Sequence, residues 1–149
     1  MRFEDVIKSR FRNEFHKLRL NLYYTNNVLN SEIPMLLKPY NITPQQYNVL
    51  RILRGQYPHP VSIKTIKERM LDKNSDVSRI IDKLLLKGLI ERKECPSDRR
   101  QKDILITRKG LDLLNAIDEK ESLLDDSIRK NLSEEEAKTL NELLDKLRG

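Results

Sequence analysis

The stretch Ser75-Asp76-Val77-Ser78-Arg79-Ile80-Ile81-Asp82-Lys83-Leu84-Leu85-Leu86-Lys87-Gly88 separates into two faces when wound at 3.6 residues per turn. Val77, Ile80, Ile81, Leu84 and Leu85 fall on one side. Ser75, Ser78, Arg79, Asp82 and Lys83 fall on the other. An apolar stripe of this kind must be buried against a core, which leaves the opposite face to solvent or to a ligand. Gly88 tolerates the positive φ that closes such a helix. The spacing predicts an amphipathic helix over about 75–87.

Working outward, Ser62 is placed to cap a short preceding helix whose inner face is Ile63, Ile66 and Met70. Only residues 71–74 then separate the two helices, the three-to-four-residue turn of a helix-turn-helix. Before that, Thr43 is a cap, Pro44 takes the first helical position, and Gln46 stands where a capping box requires Glu or Gln. Tyr47, Leu50 and Leu53 form the buried stripe of this helix, which Gly55 and Pro58-His59-Pro60 end. On the C-terminal side, Leu89 to Cys95 and about Lys102 to Ile106 read as strands joined by the charged turn Pro96 to Gln101. The result is a hairpin with a basic tip.

The flanks are helical. Ile7, Phe11, Phe15, Leu18 and Leu22 recur at steps of four, four, three and four, which predicts one long helix from Phe3 to about Leu29, thickened by Tyr23 and Tyr24. Pro34 and Pro39 leave room for a short helical piece between them. Thr107 opens a helix with Leu111, Leu114, Ile117, Leu124 and Ile128 as its apolar positions. Ser133 and Glu136 form a second capping box ahead of a last helix striped by Ala137, Leu140, Leu144 and Leu147.

At 149 residues, 35% charged and 38% hydrophobic, the chain is too polar to bury all these stripes by itself. The long terminal helices are therefore expected to pair with a second copy, with Phe11, Phe15 and Leu18 meeting Leu132, Leu140 and Leu144 across the interface. The net charge of +6 is unevenly spread: residues 1–110 carry twenty-three basic and twelve acidic side chains, residues 111–149 six and eleven. A basic centre beside an acidic tail suits a nucleic-acid binder, although an anionic membrane surface would attract the same charge. No N-terminal apolar run is long enough for a secretory signal or a membrane span. The single Cys95 excludes an intramolecular disulfide framework. A cytoplasmic protein without membrane association is expected.

Little points to catalysis. The sequence has no Gly-rich phosphate loop, nucleophile elbow or zinc-protease pair. His16 and His59 lack ligand-spaced partners, so neither a metal nor a cofactor is expected, nor is an enzyme. His16 reads as a surface or interface residue and His59 as loop.

Helix, turn, polar-faced helix and basic-tipped hairpin is the order of a winged helix-turn-helix. In a major groove, Arg79 can donate two hydrogen bonds to guanine O6 and N7. Ser75 and Ser78 can serve bases or phosphates. Lys73 and Lys83 are placed for phosphates, with Asn74 beside them. The basic tip suits the neighbouring minor groove. On charge pattern alone, Arg79, Lys83 and Lys87 read equally well as a solvated face. The alternative function is a winged-helix protein-interaction module.

Val77-Ser78-Arg79-Ile80-Ile81-Asp82-Lys83-Leu84 and Lys87-Gly88-Leu89-Ile90-Glu91-Arg92 resemble the recognition helix and first wing strand of MarR-family regulators. Ser97-Asp98-Arg99-Arg100 and Ile104-Leu105-Ile106-Thr107-Arg108-Lys109-Gly110 resemble their wing and the start of their next helix. Thr43-Pro44-Gln45-Gln46-Tyr47 resembles the usual opening of their second helix. The resemblance implies a mainly α fold with a small β wing, in which a winged helix-turn-helix (residues 41–107) is flanked by N- and C-terminal dimerisation helices (1–40 and 108–149). It implies a homodimer on palindromic double-stranded DNA, often a repressor, with Ser75, Ser78 and Arg79 reading bases. Asp98 would brace the wing, and Arg99 or Arg100 would reach the minor groove.

A small aromatic effector, held by Tyr23, Tyr24, Asn27 and Tyr47, is a further implication. Packing and hydrogen bonding within the interface account for the same residues. Cys95 stands at the base of the wing beside Lys93 and near Arg99, cations that lower a thiol pKa. Redox sensors of the family hold their cysteine in the first helix, where this chain has none, and an incidental cysteine is the simpler reading.

Overall fold

A computed structural model describes the backbone of residues 1–149 and every side chain except that of Arg99. The chain divides into two compact units, residues 1–36 and 37–149.

The first unit holds α1 (Phe3–Ile7), α2 (Glu14–Asn30) and most of α3 (Glu32–Leu37). The single long helix expected from Phe3 is interrupted. Lys8 takes a left-handed conformation, φ 51°, and its N–H closes α1 on the Glu4 carbonyl at 3.0 Å. Asn13 then restarts the helix, its side chain accepting from the His16 N–H at 2.9 Å. Asn is among the strongest caps, worth about 1 kcal/mol. The apolar spacing runs on through the break, because Phe11, which lies in it between the two helices, falls at the helical interval and packs on Phe3. Phe3 is buried, stacked on Phe11 at 5.5 Å between ring centroids and tilted against Tyr24 at 5.9 Å. Phe11 is therefore engaged within its own chain, whereas Phe15 is 83% exposed. His16 is half-buried, its ring edge against Phe11 and its Nδ1 accepting from the Arg12 N–H. Helix α3 begins ahead of Pro34 rather than after it, because a first-turn proline lacks only an N–H that would have no helical partner.

The second unit is built around α4 (Pro44–Gln56), where Thr43 and Gln46 form the full capping box. Strand β1 (Val61–Ser62) follows, then α5 (Ile63–Arg69), which Ser62 caps by accepting from the Thr65 N–H at 3.1 Å. After α6 (Val77–Leu86), the chain turns at Gly88, φ 70°, into β2 (Ile90–Cys95) and β3 (Asp98–Ile106). The three strands form an antiparallel sheet in the order β1-β3-β2, with Val61 opposite Ile104 and Ile90 opposite Ile106. Strand β1 was not expected, since two residues are too few to show an alternation. Helices α7 (Arg108–Arg129) and α8 (Glu134–Arg148) complete the chain, capped by Thr107 and by the Ser133–Glu136 box.

One core joins these elements. Leu37, Val49, Leu50, Leu53, Ile66, Ile81, Leu84, Ile104, Ile106, Leu114 and Ile117 are all essentially inaccessible. Fully burying such a side chain contributes roughly 1.5–3 kcal/mol. The fold is thus mainly helical with a small wing, as the sequence predicts. At the C-terminus the picture differs: α8 buries none of its residues, and Leu140, Leu143 and Leu147 are 45–57% exposed.

Candidate nucleic-acid interface

The helix predicted over 75–87 starts two residues later than its pattern suggests. Asp76 is the cap, and its carboxylate accepts from the Arg79 N–H at 3.2 Å. Ser75 belongs to the turn, its N–H bonded to the Asp72 carbonyl at 3.3 Å, and its Oγ is enclosed without a hydrogen-bond partner among the described residues. The turn is correspondingly longer than four residues, running from Met70 to Asp76. It is tied down by Leu71 N–H donating to Asn48 Oδ1 at 2.9 Å and Asn74 N–H donating to Asp72 Oδ1 at 3.0 Å. The Lys73 ammonium is spent on the Glu68 carbonyl.

The two faces of α6 separate as the periodicity requires. Val77, Ile81 and Leu84 are buried, while Ser78, Arg79, Asp82 and Lys83 are exposed. Asp82, the one acidic residue of the outer face, is paired with Arg92 of β2 at 3.0 Å. Arg79 and Lys83 have no anionic partner among the described residues, so the outer face carries uncompensated positive charge. Beside it lies an open groove lined by Gln45, Gln46, Asp72, Asn74, Ser75, Arg79 and Lys83. The structure brings Asn74, Ser75, Arg79 and Lys83 together there. Lys87, half-buried, donates to the Asn41 carbonyl and to Gln46 Oε1, which anchors the end of α6 to the start of α4.

The wing is tighter than expected. Strand β3 begins at Asp98, so the turn is only Pro96 and Ser97, with an irregularity in register at Glu94 and Cys95. The Asp98 carboxylate accepts from the Arg100 N–H at 2.9 Å and thereby braces the tip. Arg100 is exposed; the side chain of Arg99 lies outside the described residues. Cys95 Sγ lies 3.2 Å from Ser97 Oγ, and that hydrogen bond, with help from the Ser97 and Asp98 amides, holds the thiol below its usual range. Lys93, one of the two cations expected to do this, is instead paired with Glu91.

Sequence reasoning missed Asp76, whose signal is an Asp ahead of the apolar run, masked by the neighbouring Ser75. It also passed over the exposed cations Lys64, Lys67 and Arg69 on α5. The first helix of a helix-turn-helix crosses the phosphate backbone, which was the available cue.

Helices α4 and α7 are joined by a polar network. Arg54 makes a two-pronged bond to Asp118, at 2.6 and 3.2 Å, and Arg51 pairs with Glu121. The Tyr47 hydroxyl donates to Glu121; burial, then this bond, raises its pKa. Tyr47 is thus already engaged within the second unit, while Tyr23, Tyr24 and Asn27 are exposed in the first.

A buried three-helix lobe, a cationic reading face and a braced basic hairpin define a winged helix-turn-helix of the DNA-binding class. The model of the MarR family matches residues 42–102, from the loop before α4 to partway along β3 of the wing. The HTH-type transcriptional regulator MhqR of Bacillus subtilis is 30% identical over 128 residues, covering 86% of this chain and 87% of that protein. A mutant MarR from E. coli complexed with operator DNA superposes with a TM-score of 0.82 at 26% identity, over 93% of this chain and 99% of the other. An organohalide-sensing transcriptional regulator in its 2,4-dichlorophenol-bound form shares the fold, with a TM-score of 0.80 at 18% identity, over 95% and 86% of the two chains. The chain belongs to the MarR family of transcription regulators. Among the described residues, no helix is long and apolar enough to cross a membrane.

Proposed function

We propose that this regulator acts as a homodimer on a palindromic operator, as a repressor released by a small aromatic effector. The observation that carries the reading is the outer face of α6, where Arg79 and Lys83 stand exposed and unpaired while Arg92 neutralises Asp82. Arg79 reads guanine, Ser78 a base or phosphate, and Asn74 and Lys83 position the helix in the major groove, while Lys73 and the enclosed Ser75 shape the turn that leads into it. Lys64, Lys67 and Arg69 meet phosphates across the groove. Asp98 orients the wing, with Arg99 or Arg100 in the minor groove. Residues 41–107 form the reading lobe, and residues 1–40 and 108–149 supply the dimerisation helices. Two-fold symmetry then sets the half-sites about 34–36 Å apart.

The repressor and effector assignments rest on family likeness. The same fold accepts 2,4-dichlorophenol in the organohalide-sensing regulator; the residues put forward here are Tyr23, Tyr24 and Asn27, exposed in the first unit, since Tyr47 is already bonded to Glu121 in the second.

Selection from random duplex DNA tests the reading, with Arg79→Ala run in parallel. Wild type enriches an inverted repeat. The variant binds it more weakly by roughly 1–3 kcal/mol and relaxes one position per half-site. An Arg79→Ala selection identical to wild type would remove the assignment, and no enriched motif at all would turn attention to a protein partner.

A further inference from the structure

Leu71 is 88% exposed, although the residue before it, Met70, is buried in the core. It is flanked by the polar run Asp72-Lys73-Asn74-Ser75, and no packing among the described residues accounts for a leucine there. Its backbone is nevertheless fixed. Leu71 N–H is held by Asn48 Oδ1 of α4, and the next residues are closed by the Asp72 carboxylate and carbonyl and by Lys73 on the Glu68 carbonyl. A large apolar side chain on an anchored turn is preorganised for something that docks. The turn leads into the reading face: Asp72, Asn74 and Ser75 line the open groove shared with Arg79 and Lys83. The apolar group that a base pair presents most prominently in the major groove against such a face is the C5-methyl of thymine.

We propose that Leu71 is a specificity-determining residue that packs on a thymine methyl at the edge of the half-site read by α6. The inference rests on the DNA-reading assignment above and adds to it a contact that carries no hydrogen bond. It separates Leu71 in kind from its neighbours: loss of a phosphate contact weakens all sequences alike, whereas loss of this one weakens only thymine at one position.

The test uses the full-length protein and the operator recovered by selection. Each thymine is replaced in turn by deoxyuridine, which deletes the methyl and keeps every hydrogen-bonding group. For wild type, one replacement per half-site weakens binding about three- to five-fold, the worth of one buried methyl group. Leu71→Ala binds the thymine operator correspondingly less well and is indifferent to deoxyuridine at that position, while Leu71→Met keeps the response. Because the side chain is exposed, Leu71→Ala unfolds at the wild-type temperature. A Leu71→Ala variant with the wild-type deoxyuridine profile, or an operator in which no thymine methyl matters, overturns the proposal and leaves the Arg79 reading standing. A wild type that selects no motif overturns both.

Discussion

At the scale of single residues, Cys95 shows how far a neighbour list falls short of a geometry. The sequence puts two cations near the thiol, but the structure puts the Ser97 hydroxyl against it, because Pro96 and Ser97 alone make the turn and fold Ser97 back. A hydrogen bond to the thiolate favours the charged form, so the pKa falls. With the pKa lowered, thiolate is present at pH values where an ordinary cysteine is still protonated. Alkylation by iodoacetamide, followed against pH, is expected to show a midpoint below the roughly 8.5 of free cysteine. Ser97→Ala should move that midpoint upward. An unmoved midpoint would show that another group acidifies the thiol. The exposed place of Arg79 on its helix and of Asp98 at the tip of the wing were legible beforehand because each depends on a local pattern. Ser75 was misplaced on the helix, since it falls on the polar side of the helical period and only the closure of the turn in three dimensions shows that the helix begins after it.

The elements themselves were more readable than their limits. Capping boxes at Thr43 and Ser133 announced α4 and α8 because a cap is a property of four consecutive residues. The break at Lys8 to Asn13 and strand β1 were not visible. The first keeps the apolar period, and the second exists only because β3 lies beside it. Two variants probe how tightly these elements fit. Asp76→Ala removes the cap of α6 and should lower stability by about 1 kcal/mol in urea unfolding, with an unchanged m-value. Gly110→Ala is a harsher test. A Cβ there would fall on the Leu89 carbonyl and on Ile106 Cγ1, well inside van der Waals contact, where the wing strands meet the first turn of α7. Overpacking of this kind costs roughly 1–3 kcal/mol. A Gly110→Ala melting temperature equal to wild type would mean that α7 can shift away from the sheet without loss.

For the whole molecule, the informative surface is the one left uncovered. Helix α8 is fifteen residues long and well capped, yet none of its residues is buried, and its stripe of Leu140, Leu143 and Leu147 faces outward. A helix of that length is marginal in water without an apolar face to bury. A chain that is 35% charged has little else to offer it, which makes a second copy the natural cover. Sedimentation at micromolar concentration should therefore return twice the 17.7 kDa chain mass. Placing Glu at both Leu140 and Leu147 should yield monomers in which the lobe around α6 remains folded, because its core draws on none of the α8 leucines. Such monomers would occupy isolated half-sites. Their affinity for the intact palindrome should collapse towards that of one half-site, since the second lobe would no longer be held close by the first. A wild type that sediments as a monomer while still protecting both half-sites would place the pairing on the DNA rather than in α8, and the exposed leucines would then need another partner.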